Sequence, residues 1–181
     1  LVIANCNKPH SLVTSKSTAR RRETEEALKL LQTVLKVDCL ADVTPVQFEE
    51  YKSILPGKVK DRAEHVVYEC DRVSKSVEAM KSGDIKRLGK LLCESHASLR
   101  DKYEVTGKEL DALAESAQNF DGCLGSRMTG AGFGGCTISI VKKDKVDEFK
   151  RVVGEKYAAE IGYDCSFYEA EIADGITIEK L

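Results

Sequence analysis

Residues 125–135 read GSRMTGAGFGG and run directly into CTISIV, so that six of the chain's 13 glycines lie between Gly122 and Gly135. Glycine reaches positive φ and has no Cβ to hold a ligand away from the backbone. Successive N–H groups in such a loop can form a concave anion site. Hydrogen bonds to a charged partner contribute about 1.5–3 kcal/mol each, so a few can hold a phosphate without a basic surface. A glycine-rich turn between two strands is the plainer alternative. The stretch lacks the GxxxxGK[ST] pattern, and no helix follows its glycines as a dinucleotide fingerprint requires. It is longer than a tight hairpin needs and carries Ser126, Arg127 and Thr129, which favours a ligand-facing role. Arg127, beside a strand end, reads first as a structural ion pair.

Other chemistry-bearing residues are sparse. Arg20, Arg21 and Arg22 make the nearest thing to a basic patch, at the start of a helix where positive charge opposes the macrodipole by a few tenths of a kcal/mol. The triplet reads in isolation as a solvated face. Of the histidines, His96 follows Leu92 by four residues on an apolar stripe and reads as packed, His65 falls between stripe positions and reads as exposed, and His10 sits in a polar loop. No Ser/His/Asp set, carboxylate pair or metal-ligand cluster stands out, and the acidic residues such as Glu25 and Glu26 fall on outer helix faces.

These residues must be carried by an α+β chain. Leu1–Asn5 reads as a strand and 18–36 as an amphipathic helix bearing Ala27, Leu28, Leu31, Val34 and Leu35. Thr44, Pro45 and Gln47 supply an N-cap, an N1 proline and a capping-box partner for a short helix to about Leu55. A long helix over 59–81 has Ala63, Val66, Val67, Cys70, Val73, Val77 and Met80 on one stripe, ended by Gly83. Asp84 caps the next helix, with Ile85, Leu88, Leu91, Leu92 and Leu99 inward. Thr106 and Glu109 predict a further capping box, before a helix with Leu110, Leu113, Ala114, Ala117 and Phe120 inward. Then come a strand CLGSRM, the glycine loop, a strand CTISIV, a helix over 144–161, a strand CSFYEAEI and, past a turn at Asp174 and Gly175, a last strand.

At 181 residues, 42% hydrophobic and 32% charged, the chain can bury a substantial core. A formal net charge of −2 gives no global attraction to nucleic acid or anionic lipid. The apolar runs are too short to span a bilayer. Seven scattered cysteines, with no CxxC pairing, predict reduced thiols and a cytoplasmic setting.

GSRMTGAGFGGCTISIV resembles the third signature motif of the galactokinase branch of the GHMP kinases. ANCNKPHSL, ARRRETEEALKLL, RAEHVVYECDRV, ESHASLRDKYEVTGKELD and the terminal ADGI resemble galactokinase segments in the same order, across nearly the whole chain. The resemblance implies that residues 1–181 form the family's C-terminal domain, a ferredoxin-like α+β block with additional helices. It implies an ATP-dependent, Mg2+-assisted sugar 1-kinase making galactose 1-phosphate, with a related sugar such as N-acetylgalactosamine or a non-catalytic galactokinase-like sensor as alternatives. The N-terminal ATP- and sugar-binding half is expected to be missing, with no catalytic or metal-binding residue in this piece, which alone is expected to be inactive. The expected partners are sugar, ATP and the missing domain of the same protein, without nucleic acid or membrane, and the expected state is a monomer. The resemblance places Ser126, Thr129, Gly130, Ala131, Gly132, Phe133, Gly134 and Gly135 against the nucleotide phosphates and sugar, and Ser17 and Arg21 on the substrate side. Ser17 stands where the family usually has a sugar-contacting tyrosine. Pro9 precedes His10, with Lys8 one position earlier, where the family has a basic residue. Both departures bear on the sugar rather than on the fold.

Overall fold

The computed structural model of the chain describes residues 1–8 and 14–174. His10, and the strand expected beyond Asp174, lie outside the described residues. Among the described residues four strands form one sheet: β1 (Val2–Asn5), β2 (Cys123–Thr129), β3 (Cys136–Val141) and β4 (Ser166–Glu169). Their order is β2-β3-β1-β4, with every neighbouring pair antiparallel. Helices α5 (Lys108–Gln118) and α6 (Val146–Ile161) complete a β-α-β-β-α-β frame of ferredoxin-like type. Four helices are inserted between β1 and α5: α1 (Thr14–Leu31), α2 (Pro45–Tyr51), α3 (Gly57–Lys81) and α4 (Ile85–Ser98).

Two cores result. In the sheet core, Val2 and Ala4 alternate inward from β1 against Leu110, Leu113, Phe149 and Tyr157 of the two frame helices. Phe149 stands edge-on to Phe120 and Phe167, with ring centroids 5.4 and 6.3 Å away. The buried Tyr157 hydroxyl donates to the Cys6 carbonyl at 2.6 Å. In the helical core, Ala27 and Leu31 of α1 and Phe48 of α2 meet Val59, Ala63 and Val67 of α3.

Most of the expected elements form where the pattern puts them. At α2 the Thr44 Oγ1 accepts from the Gln47 N–H at 3.3 Å while Gln47 Oε1 accepts from the Thr44 N–H at 2.9 Å. At α4 the Asp84 carboxylate accepts from the Arg87 N–H at 3.0 Å. Four expectations are corrected. Helix α1 starts at Thr14 and stops at Leu31 instead of running 18–36, because the chain turns there and brings Leu40 and Val43 onto the same core. The Thr106–Glu109 capping box does not form: Gly107, at φ +98°, is the N-cap, and Glu109 is drawn instead to the Lys8 ammonium at 2.9 Å. The second half of the α3 stripe faces solvent, with Val73 58%, Val77 39% and Met80 58% exposed. His65 is buried rather than exposed.

Candidate functional site

The β2–β3 hairpin pairs as far as Thr129 opposite Cys136, and residues 130–135 form its tip. Five of those six take positive φ: Gly130 (+93°), Gly132 (+83°), Phe133 (+61°), Gly134 (+139°) and Gly135 (+96°). For Phe133 this backbone costs on the order of 1–2 kcal/mol, so its surroundings must hold it there. They do so through the Phe133 N–H, which donates to the Val105 carbonyl at 2.6 Å, and through its ring, half-buried against the sheet core. Gly132 lies so close to Val105 that a Cβ would collide with the same carbonyl oxygen, which makes glycine obligatory at this point. On the other flank the Cys6 N–H donates to the Gly135 carbonyl at 2.9 Å, and the Lys8 stem lies against Gly134.

The loop therefore has a seated side, Gly132 and Phe133 on Val105, and an open side. Thr129, Gly130, Ala131 and Gly135 are exposed, and Gly134 is half-buried. A run of left-handed residues on an open tip can turn backbone N–H groups toward a bound anion.

The predicted site residues do not all gather there. Ser126 is fully buried three strand positions before Thr129, where its Oγ accepts from the Ser139 hydroxyl at 2.9 Å. That leaves Thr129 as the loop's exposed hydroxyl. Arg127 turns away: its Nη1 donates to Glu69 Oε1 at 3.0 Å and its Nε to the Met128 carbonyl at 2.9 Å. It is a structural ion pair. Ser17 is exposed on α1, and Arg21, with its side chain 81% exposed, pairs with Glu25 at 2.9 Å. Among the described residues no hydrogen bond or ion pair joins either to the loop. Of the triplet it is Arg20 that points inward, for an i, i+1 neighbour lies about 100° around a helix.

Two buried histidines sit behind the loop. His96 accepts the Met128 N–H on Nδ1 at 3.1 Å, which assigns its proton to Nε2, 3.2 Å from Asp111 Oδ1. His65 meets Ser98 Oγ at 2.9 Å and stacks on Tyr103 at 4.6 Å, and burial pushes its pKa down to about 4. Burial works against the charge of nearby Glu69, but hydrogen bonds from Ser95 and Arg72, with the charges of Arg72 and Arg127, hold it below the usual carboxylate range. These groups serve the packing of α3, α4 and β2. At the loop itself the neighbouring carboxylate, Glu109, is bound to Lys8, so the arrangement is suited to holding an anion rather than to moving protons.

Sequence reasoning missed the seat at Val105 and the buried Arg62 behind it. Arg62 follows Val59 by three residues inside an apolar stripe, and a charge in that position is a readable sign of a buried ion pair.

A family model described as GHMP kinases C terminal matches residues 76–159. The galactokinase of Clostridium acetobutylicum is 53% identical over 176 residues, covering 97% of this chain and 45% of that protein. The galactokinase of Lactiplantibacillus plantarum is 51% identical over 176 residues, covering 97% of this chain and 46% of that protein. Lactococcus lactis galactokinase, solved in complex with galactose, superimposes with a TM-score of 0.93 at 46% identity, over 96% of this chain and 45% of that one. The mevalonate kinase of L. major shares the fold, with a TM-score of 0.53 at 21% identity over 88% of this chain and 39% of that one. The chain thus spans less than half the length of the curated relatives it matches. It belongs to the GHMP kinases, on their galactokinase branch, and corresponds to that family's C-terminal region.

Proposed function

We propose that the whole protein is a galactokinase, transferring the γ-phosphoryl group of ATP to the anomeric hydroxyl of galactose, and that residues 1–181 act as one domain forming one wall of its cleft. The observation that carries this is the near-complete superposition on a galactokinase solved with galactose, combined with a glycine loop whose open backbone is held rigid from behind. ATP would supply the phosphoryl group, and Mg2+ would supply neutralisation of the phosphate charge, with Thr129, Gly130, Ala131, Gly134 and Gly135 lining the phosphate side. The exposure of Gly130 and Ala131 and the run of left-handed residues, which can turn backbone N–H groups toward a phosphate, support this reading. Catalysis of this kind is mostly positioning and electrostatic stabilisation, which fixed dipoles supply without reorganising during the reaction. In this reading Thr129, Gly130, Ala131, Gly134 and Gly135 face the ligands, Gly132 and Phe133 fasten the loop, and Ser126 ties β2 to β3. Ser17 belongs to the sugar side as the position where a longer side chain is absent. Arg21 receives no ligand role, because solvent and Glu25 already satisfy it. Free thiols throughout the described cysteines fit a cytoplasmic enzyme, and we take it as a monomer.

The short side chain at Ser17 favours one second reading, a kinase whose pocket admits a bulkier sugar such as N-acetylgalactosamine. The test is ADP release by the full-length protein with MgATP and a panel of galactose, N-acetylgalactosamine, glucose and mevalonate. Turnover with galactose is expected. Preference for N-acetylgalactosamine would move the assignment to the second reading. Binding of ATP and sugar without turnover would make the protein a sensor and sink the kinase.

A further inference from the structure

The glycine loop does not stand on the sheet alone. Helix α4 runs into a π-helical turn, Leu99–Tyr103, a form that is rare and concentrates at functional sites. The chain leaves that turn through Glu104 in the left-handed conformation, φ +55°, and arrives at Val105, whose N–H closes back on the Leu99 carbonyl at 3.1 Å. A helix C-terminus leaves its last carbonyls without intrahelical donors. Here two arginines from other helices take three in succession. Arg62 Nη1 donates to the Lys102 carbonyl, Arg20 Nε to the Tyr103 carbonyl at 2.6 Å, and Arg20 Nη2 to the Glu104 carbonyl at 3.2 Å. The arginines are fixed in turn. Arg62, 1% exposed, reaches Glu23 at 2.7 Å and the Glu104 carboxylate at 2.8 Å, while Arg20 pairs with Glu23 at 3.1 Å and Lys58 with Glu104. The next carbonyl along, that of Val105, receives the Phe133 N–H and supports Gly132.

We infer that Arg20 and Arg62 are positioning residues of the kinase, setting the glycine loop against the transferring phosphoryl group by holding the Lys102–Val105 turn on which Gly132 and Phe133 are seated. The inference rests on the reading of the loop as a wall of the active site. The guanidinium fork is what the role requires, because one planar group must donate to two adjacent carbonyls in fixed directions. A lysine keeps the charge and loses the second direction. A loop displaced by about 1 Å costs on the order of a hundredfold in rate.

The experiment is steady-state kinetics of the full-length enzyme with MgATP and galactose for Arg20→Lys, Gly132→Ala and the double variant, alongside thermal melts. The expected result is a loss of about tenfold to a hundredfold in kcat for Arg20→Lys with KM for galactose little changed and a cooperative melt retained. In the Gly132→Ala background, where the seat is already broken, Arg20→Lys should remove almost nothing further from kcat. A folded Arg20→Lys enzyme with wild-type kcat overturns the inference, and so do losses that multiply in the double variant, since a merely structural pair would weaken each background equally. If Gly132→Ala itself retains wild-type kcat, the loop is no part of the active site and the inference is overturned, while absence of galactose turnover in the unmutated full-length enzyme is the separate outcome that removes the kinase reading. Arg62→Lys serves as the second variant. If neither lysine variant gives folded enzyme, the arginines serve the fold alone and the inference is overturned.

Discussion

The two halves of α3 carry the same apolar stripe and meet opposite fates. From Gly57 to Cys70 the helix lies under α1, α2 and the turn at Leu40, and buries Val59, Ala63 and Val67 together with Arg62 and His65. From Asp71 to Lys81 Ala79 is buried, but Val73, Val77 and Met80 stand 58%, 39% and 58% exposed. Periodicity reports that a helix has an apolar side, whereas burial depends on how far the neighbouring elements reach along it. In the covered half polar groups are buried too, because charge partners are built around them. In the uncovered half apolar groups are tolerated in water, as much of any folded surface is apolar.

Removing a charge from the covered half should have the largest effect. Arg62→Met keeps volume but leaves Glu23 and Glu104 facing a gap where a guanidinium stood. Breaking a buried pair by deleting one partner costs 3–5 kcal/mol, and since both carboxylates keep some access to water we expect about 3 kcal/mol. Urea unfolding measures it, and a change below about 1 kcal/mol would show that the network is dispensable for stability.

The next effect depends on pH. His65 has an ordinary pKa of 6.5, lowered in the fold to about 4 by burial, with Arg72, Arg127 and Arg62 adding to the shift and Glu69 opposing it. The unfolded chain therefore binds more protons than the folded one between those values. The neutral imidazole costs no stability above pH 6.5, and stability falls as pH drops toward 4. At pH 4.5 the loss amounts to about 2.5 kcal/mol. Comparing wild type with His65→Gln at pH 7.5 and 4.5 isolates this contribution from the carboxylates, which titrate in both proteins. Equal losses in the two would contradict a neutral buried His65.

The same contrast explains what was legible in the sequence. The β2–β3 hairpin, the Thr44 and Asp84 caps and the inward faces of α5 and α6 rest on local geometry: alternation, a hydroxyl three residues from a donor, a 3.6-residue period. Local geometry is written along the chain. The glycine loop was legible as a place of backbone freedom, yet its seat was not, because Val105 lies 28 residues before Phe133 and contributes only a carbonyl that every residue type possesses. The burial of Ser126 is hidden from the sequence for a related reason. Its position inside the ladder, opposite Ser139, decides that its hydroxyl faces the core. Arg20 and Arg21 differ by one helical step, and only the placement of the Lys102–Glu104 turn tells which is buried.

The smallest effect sharpens the contrast from its other side. Met80 is apolar, sits on the stripe and touches too little to be worth much. Burial stabilises a side chain in proportion to the area it removes from water, and a residue left 58% exposed has forfeited most of that. Replacing it with glutamine keeps length and helix propensity while making the surface polar, so Met80→Gln should change stability by less than about 0.5 kcal/mol. The same change at Val67, 1% exposed on the covered half, would bury an unpaired amide and cost several kcal/mol. Parallel urea titrations of the two variants give the ratio directly. Comparable losses at both positions would mean that the second half of α3 is covered in solution, and the distinction between the two halves would collapse.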